Sequence, residues 1–95
     1  MNLIVEPAAA RWYKQELAAA DGDQLQIFIR LGGCGSVQPG LSLGIIKQPT
    51  EAPRLSKVED GIEFYMLDDQ LWYLDNKDLE IRYDAKREES YIHVE

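Results

Sequence analysis

Soft metal ligands are scarce in this 95-residue sequence, which holds one cysteine and one histidine. A single cysteine cannot close an intramolecular disulfide, so a secreted scaffold stapled by bridges is excluded. Basic residues are also in deficit, with Lys+Arg 10 against Asp+Glu 17 and a formal net charge of −7. They are nowhere clustered, which argues against a protein that holds nucleic acid by neutralising phosphates. No eighteen apolar residues run together, and the first residues lack the basic and then apolar segments of a secretory signal. These absences predict a cytoplasmic protein with no nucleic-acid partner and no membrane partner.

What is present fits one compact domain spanning residues 1–95, since 45% of the residues are hydrophobic and two independent cores do not fit in this length. So small a domain leaves little depth for an active-site cleft, and self-association would help its stability. The charge is uneven: residues 1–58 carry 6 basic and 5 acidic side chains, residues 59–95 carry 4 basic and 12 acidic. The second half therefore reads as an acidic, solvated face, with docking of a basic partner or a cation as the sharper alternative.

Periodicity supplies the elements. Leu3 and Val5 make a short strand, and Pro7 opens a helix predicted to reach Ala20, with Ala10, Tyr13, Leu17 and Ala20 on one stripe and Gly22 closing its end. Leu25, Ile27, Ile29 and Leu31 alternate on one strand face, with Phe28 on the other, and Leu41, Leu43 and Ile45 do so on the next strand. Residues 48–53, with Pro49 and Pro53, read as a connecting loop. Asp60-Gly61 marks a tight hairpin leading into Ile62, Phe64 and Met66. Asp68 or Asp69 is expected to cap a short helix near 69–74, and strands at 79–84 and 90–94 flank a charged turn at Lys86-Arg87-Glu88-Glu89. One helix followed by runs of strands predicts an α+β fold, mainly antiparallel β, with an N-terminal helix and a short second helix.

The segment Gly32-Gly33-Cys34-Gly35-Ser36 carries the chemistry. Glycines on both sides remove steric cover, so Cys34 is expected to be accessible rather than a buried small hydrophobe. Its thiolate would be the nucleophile or metal ligand, but a thiol of pKa about 8.5 stays mostly protonated at neutral pH unless a cation or metal stabilises the anion. A phosphate loop is excluded, because the lysine of GxxxxGK[ST] is missing and Gln38 stands where GxGxxG needs its third glycine.

With the strand Ile27-Phe28-Ile29-Arg30-Leu31 before it, this loop resembles the first-cysteine segment of HesB/IscA-type iron–sulfur cluster biogenesis proteins. The opening Leu3-Ile4-Val5-Glu6-Pro7-Ala8-Ala9 is similar to that family's strand and Pro-Ala-Ala helix start, and Leu71-Trp72-Tyr73-Leu74-Asp75 resembles its short helix. Gln38-Pro39-Gly40-Leu41-Ser42-Leu43-Gly44-Ile45 resembles a single-cysteine branch found in Gram-positive bacteria. The resemblance implies a HesB-like domain, an A-type scaffold or carrier rather than an enzyme, iron or an iron–sulfur cluster as cofactor, and iron–sulfur assembly or client proteins as partners; a homodimer is expected from the small core and the aromatic residues. Typical members end in a Cys-x-Cys pair, which these 95 residues lack. Cys34 alone carries over as cofactor and metal ligand, whereas a cluster usually takes four protein ligands. The alternative from another class is a metal-free interaction or regulatory module derived from that family.

Alternation places Ile92 and Val94 toward the core and His93 outward with Tyr91 and Glu95, so His93 reads as a surface or interface residue. A role beside Cys34, as second metal ligand or catalytic base, requires the loop and the last strand to meet. Trp12, Tyr13, Trp72 and Tyr73 read as core or subunit contacts. Asp68-Asp69 is no acid/base pair, because neighbours on a helix do not face each other.

Overall fold

Seven strands, one α-helix and a 3-10 helix follow one another in a computed structural model that describes residues 1–32 and 38–95. They are β1 (Leu3–Val5), α1 (Pro7–Glu16), β2 (Gln24–Leu31), β3 (Leu41–Lys47), β4 (Arg54–Glu59), β5 (Ile62–Leu67), the 3-10 helix (Asp68–Leu74), β6 (Leu79–Asp84) and β7 (Glu89–Val94). Two sheets form, one ordered β3-β2-β5-β4 and the other β1-β6-β7. The α+β architecture and its two helices are as the sequence predicts, and β2–β3, β4–β5 and β6–β7 pair antiparallel. Two pairings are parallel and unforeseen, β1 with β6 and β2 with β5. Both join segments far apart in sequence, where local periodicity carries no information. Apolar residues of both sheets, α1 and the 3-10 helix share one core, with Leu25, Ile27, Phe64, Leu74, Leu79 and Ile81 fully buried.

Proline starts α1 because its missing N–H falls where the helix has no acceptor to offer. Before it Glu6 is extended; its N–H donates to Ile81 O at 2.9 Å, and its carboxylate accepts from Tyr83 N–H at 2.7 Å. Ala9 and Ala10 are fully buried, and their small side chains let the helix lie close on β6 and β7. The helix stops at Glu16, short of the predicted Ala20. Ala18 turns to φ 50, and the N–H groups of Leu17 and Ala19 close onto Tyr13 O and Lys14 O. Leu17 and Ala19 thereby reach the core while Ala20 is exposed. Gly22 is not the helix cap; at φ 92 it shapes the next turn and donates to Gly61 O at 2.8 Å. The second helix is likewise uncapped by aspartate: Leu67 takes the cap position without a side-chain bond, and Asp68 and Asp69 occupy the first turn, where their charge suits the helix dipole.

The segment 48–53 does more than connect. Tyr65 alternates with Phe64 and Met66 and so faces away from the core, yet it is fully buried. Its hydroxyl donates to Gln48 O at 2.6 Å, and the Arg54 guanidinium lies 5.9 Å from its ring centroid. Gln24 binds Thr50 through Nε2–O (3.2 Å) and N–Oε1 (2.8 Å), while Glu63 accepts from Arg54 Nε at 2.6 Å and from Gln24 Nε2 at 3.1 Å. The loop is strapped over the outer face of the sheet by this network.

The Arg54 hydrogen bond, helped by Gln24 and the Arg54 charge against the opposing effect of burial, holds the Glu63 carboxyl below its ordinary value of 4.5. A carboxyl lowered in the folded state stabilises fully above the unfolded value, and that contribution disappears as pH falls through the folded one. Wild type should therefore exceed Glu63→Gln in Tm at pH 7, and the gap should close as pH is lowered below about 4.5. Thermal melts of both proteins across that range check it. A gap independent of pH would contradict the ion-paired strap.

Candidate functional site

β2 pairs with β5 only over Gln24–Gln26 but with β3 over Leu25–Leu31. Its second half and β3 thus continue beyond the four-stranded sheet as a two-stranded ribbon. Burial falls along it, from fully buried Ile27 to Leu31, which is 92% exposed. Leu31 keeps the face of that alternation but lies bare because the ribbon has by then outrun the core; Ile29, Leu41 and Leu43 still pack against it.

At the ribbon's end Gly32, at φ 89, donates its N–H to Gly40 O at 2.8 Å, and Leu41 N–H reaches Gln38 O at 3.2 Å. The first bond brings together the two residues that flank this stretch of chain, and the second closes a turn on its C-terminal side. The Tyr73 hydroxyl, on the 3-10 helix, donates to Leu41 O at 3.4 Å, so that helix supports the ribbon at its last pair. Tyr73 is a core residue, as read, whereas Trp72 is 59% exposed. Cys34 and the accessibility expected of its thiol lie outside the described residues, with Gly33, Gly35, Ser36 and Val37.

His93 belongs to the other sheet. It points outward as the alternation predicts, with Ile92 and Val94 on the core. Antiparallel register sets it opposite Glu80, and Glu95 follows on the same face, its Oε2 3.2 Å from His93 Nε2. The ligand atoms of Glu80, His93 and Glu95 lie within 4.8 Å of one another, a group of three among the described residues that could hold a metal ion. Arg82 Nε stands 3.5 Å from Glu80 Oε1. Sequence reading placed Glu95 on one face with His93 by alternation but missed Glu80. The signal was available: counting outward from a turn at Lys86-Arg87 pairs position 80 with 93.

No protein-family model matches the chain. Over 89 residues it is 40% identical to the pyruvate dehydrogenase inhibitor of Bacillus subtilis (strain 168), covering 94% of each chain. The chain belongs to that protein's family. An uncharacterized protein of Staphylococcus saprophyticus is 29% identical over 82 residues, 83% of this chain and 84% of that one. Among solved structures, Escherichia coli SufA, involved in biosynthesis of iron–sulfur clusters, superposes with a TM-score of 0.58 at 17% identity, over 99% of this chain and 86% of SufA. IscA with a [2Fe-2S] cluster gives 0.50 at 17% identity, over 98% and 80%. The inhibitor-family chain therefore shares the A-type fold that the resemblance implied. No helix among its described residues is long and apolar enough to cross a membrane.

Proposed function

We propose that the chain is a small cytoplasmic regulatory protein that binds pyruvate dehydrogenase and lowers its activity, without catalysing a reaction itself. The observation that carries this reading is the 40% identity to the Bacillus subtilis inhibitor across 94% of both chains. It corresponds to the interaction-module alternative: an A-type fold used as a binding surface. The donor set supports the same choice, because one cysteine in 95 residues falls short of the four ligands a cluster usually takes.

A second reading is favoured by the shared fold of SufA and cluster-bearing IscA. In it the chain is a member of the single-cysteine branch found in Gram-positive bacteria, and iron or a cluster is cargo, held by Cys34 from each of two copies in a homodimer and passed to client proteins. Such a dimer supplies two thiolates, leaving the other positions to non-protein thiols or to other residues.

Titrating the purified protein into pyruvate dehydrogenase from the same cell, under steady-state turnover, should depress the rate as the two become equimolar. Inhibition by the iron-free protein that survives Cys34→Ser would establish the regulatory reading. Inhibition that requires anaerobic loading with iron and sulfide, with visible absorbance lost in Cys34→Ser, would replace it by the cargo reading. An unchanged rate with no co-sedimentation would overturn the assignment to pyruvate dehydrogenase.

A further inference from the structure

The sheet β1-β6-β7 turns one face to the core through Leu3, Leu79, Ile81, Ile92 and Val94. Its other face is uncovered enough that Ile4 is 44% and Tyr91 42% exposed. Register places Ile4, Glu80 and His93 in one row across that face. Glu95 follows on the same face in the next row, fixed by a pair of backbone hydrogen bonds with Asp78, N–H to O at 3.0 Å and O to N–H at 2.7 Å. Two carboxylates and an imidazole are thus carried by paired backbone, where strand geometry positions ligands more tightly than a loop does.

We propose that Glu80, His93 and Glu95 form a surface site for a zinc-class divalent transition ion, independent of Cys34 and of the pyruvate dehydrogenase reading. Zinc bonds of about 2.0–2.2 Å to nitrogen and oxygen place tetrahedral ligand atoms about 3.3 Å apart. His93 Nε2 and Glu95 Oε2 already stand at 3.2 Å, and the remaining spread, within 4.8 Å, is closed by torsion of a glutamate side chain. The imidazole sets the class: nitrogen with carboxylate oxygen suits zinc, iron or nickel, whereas calcium and magnesium take oxygen alone. Three protein ligands leave a fourth position to water or to a partner's side chain. Charge favours a cation here, because two carboxylates meet at the site while one guanidinium, that of Arg82, stands 3.5 Å from Glu80. The Glu80 side chain is only 17% exposed, so its carboxylate gains more from an added cation than a freely hydrated one would.

Cobalt(II) titration followed by its visible d–d absorption, with zinc competition by calorimetry, tests the site. One equivalent should bind saturably, and Cys34→Ser should bind as wild type does. His93→Gln should weaken binding by more than the roughly 10–100-fold typical of losing an outer-shell partner. Arg82→Gln, which removes the competing cation, should tighten it, an effect that a merely structural role for these residues would not produce. Circular dichroism and Tm of each variant establish that it is folded. Binding that does not saturate, that is unaffected by His93→Gln, or that disappears in Cys34→Ser would overturn the proposal.

Discussion

Phe64→Ala should destabilise the protein by about 3–5 kcal/mol, the range for truncating a buried aromatic. Phe64 sits on β5, between β2 and β4, with no exposed surface. The Tyr13 ring of α1 meets it edge-on at 6.3 Å, so the phenyl joins sheet and helix and its loss opens a void that neither can fill without moving. A small domain loses about 4–8 °C in Tm per kcal/mol, and its total stability is of order 5–15 kcal/mol. The variant should therefore melt well over about 10 °C lower, or fail to fold at 37 °C. Urea denaturation measures the change directly, and a loss below about 1 kcal/mol would mean that the phenyl site collapses freely.

Gly61→Ala should cost about 1–2 kcal/mol, the penalty for placing an L-residue in the left-handed region. Asp60 and Gly61 both have positive φ, 54 and 76, as the twist of a two-residue hairpin demands. A Cβ on Gly61 would also come within 2.7 Å of Asp21 Oδ1, the atom that pairs with Lys14 Nζ at 2.5 Å. The variant thus strains the hairpin and disturbs the contact from α1 to the turn. Gly40→Ala is the control, because at φ 77 it carries the same backbone strain with no atom of the described residues within 4 Å of its Cβ. The difference between the two losses isolates the Asp21 collision, and equal losses would show that Asp21 yields freely.

Local chemistry made most of the fold legible. The alternation at 25, 27 and 29 and the Asp60-Gly61 turn specify strands and a hairpin through side-chain faces and backbone handedness, and β2 (Gln24–Leu31) spans that alternation. The end of α1 was not legible, since nothing in an alanine-rich stretch marks Ala18 as the residue that turns to φ 50; packing of Leu17 and Ala19 decides it. Leu31 reads as core by its period, yet where a sheet outruns its core is a property of the whole molecule. The strap over Tyr65 was hidden because Gln24, Thr50 and Glu63 meet only after β2 and β5 have paired in parallel. Of the candidate site, the motif around Cys34 showed which residue to test, and its flanking stems are now defined by the Gly32–Gly40 hydrogen bond. Glu80, opposite His93, needed a register, which alternation alone does not supply.

The parallel ladder of β1 with β6 constrains how the molecule is made. β1 ends at Val5 and its partner begins at Leu79, so during synthesis the first strand emerges from the ribosome long before the chain that can pair with it exists. The four-stranded sheet, complete by Leu67, draws on no later strand. The three-stranded sheet, and with it the docking of α1 on β6 and β7, must wait until β6 and β7 have left the ribosome. Such long-range closure slows folding, and during the delay Ala9, Ala10 and the apolar side of β1 have only chaperones or one another to cover them.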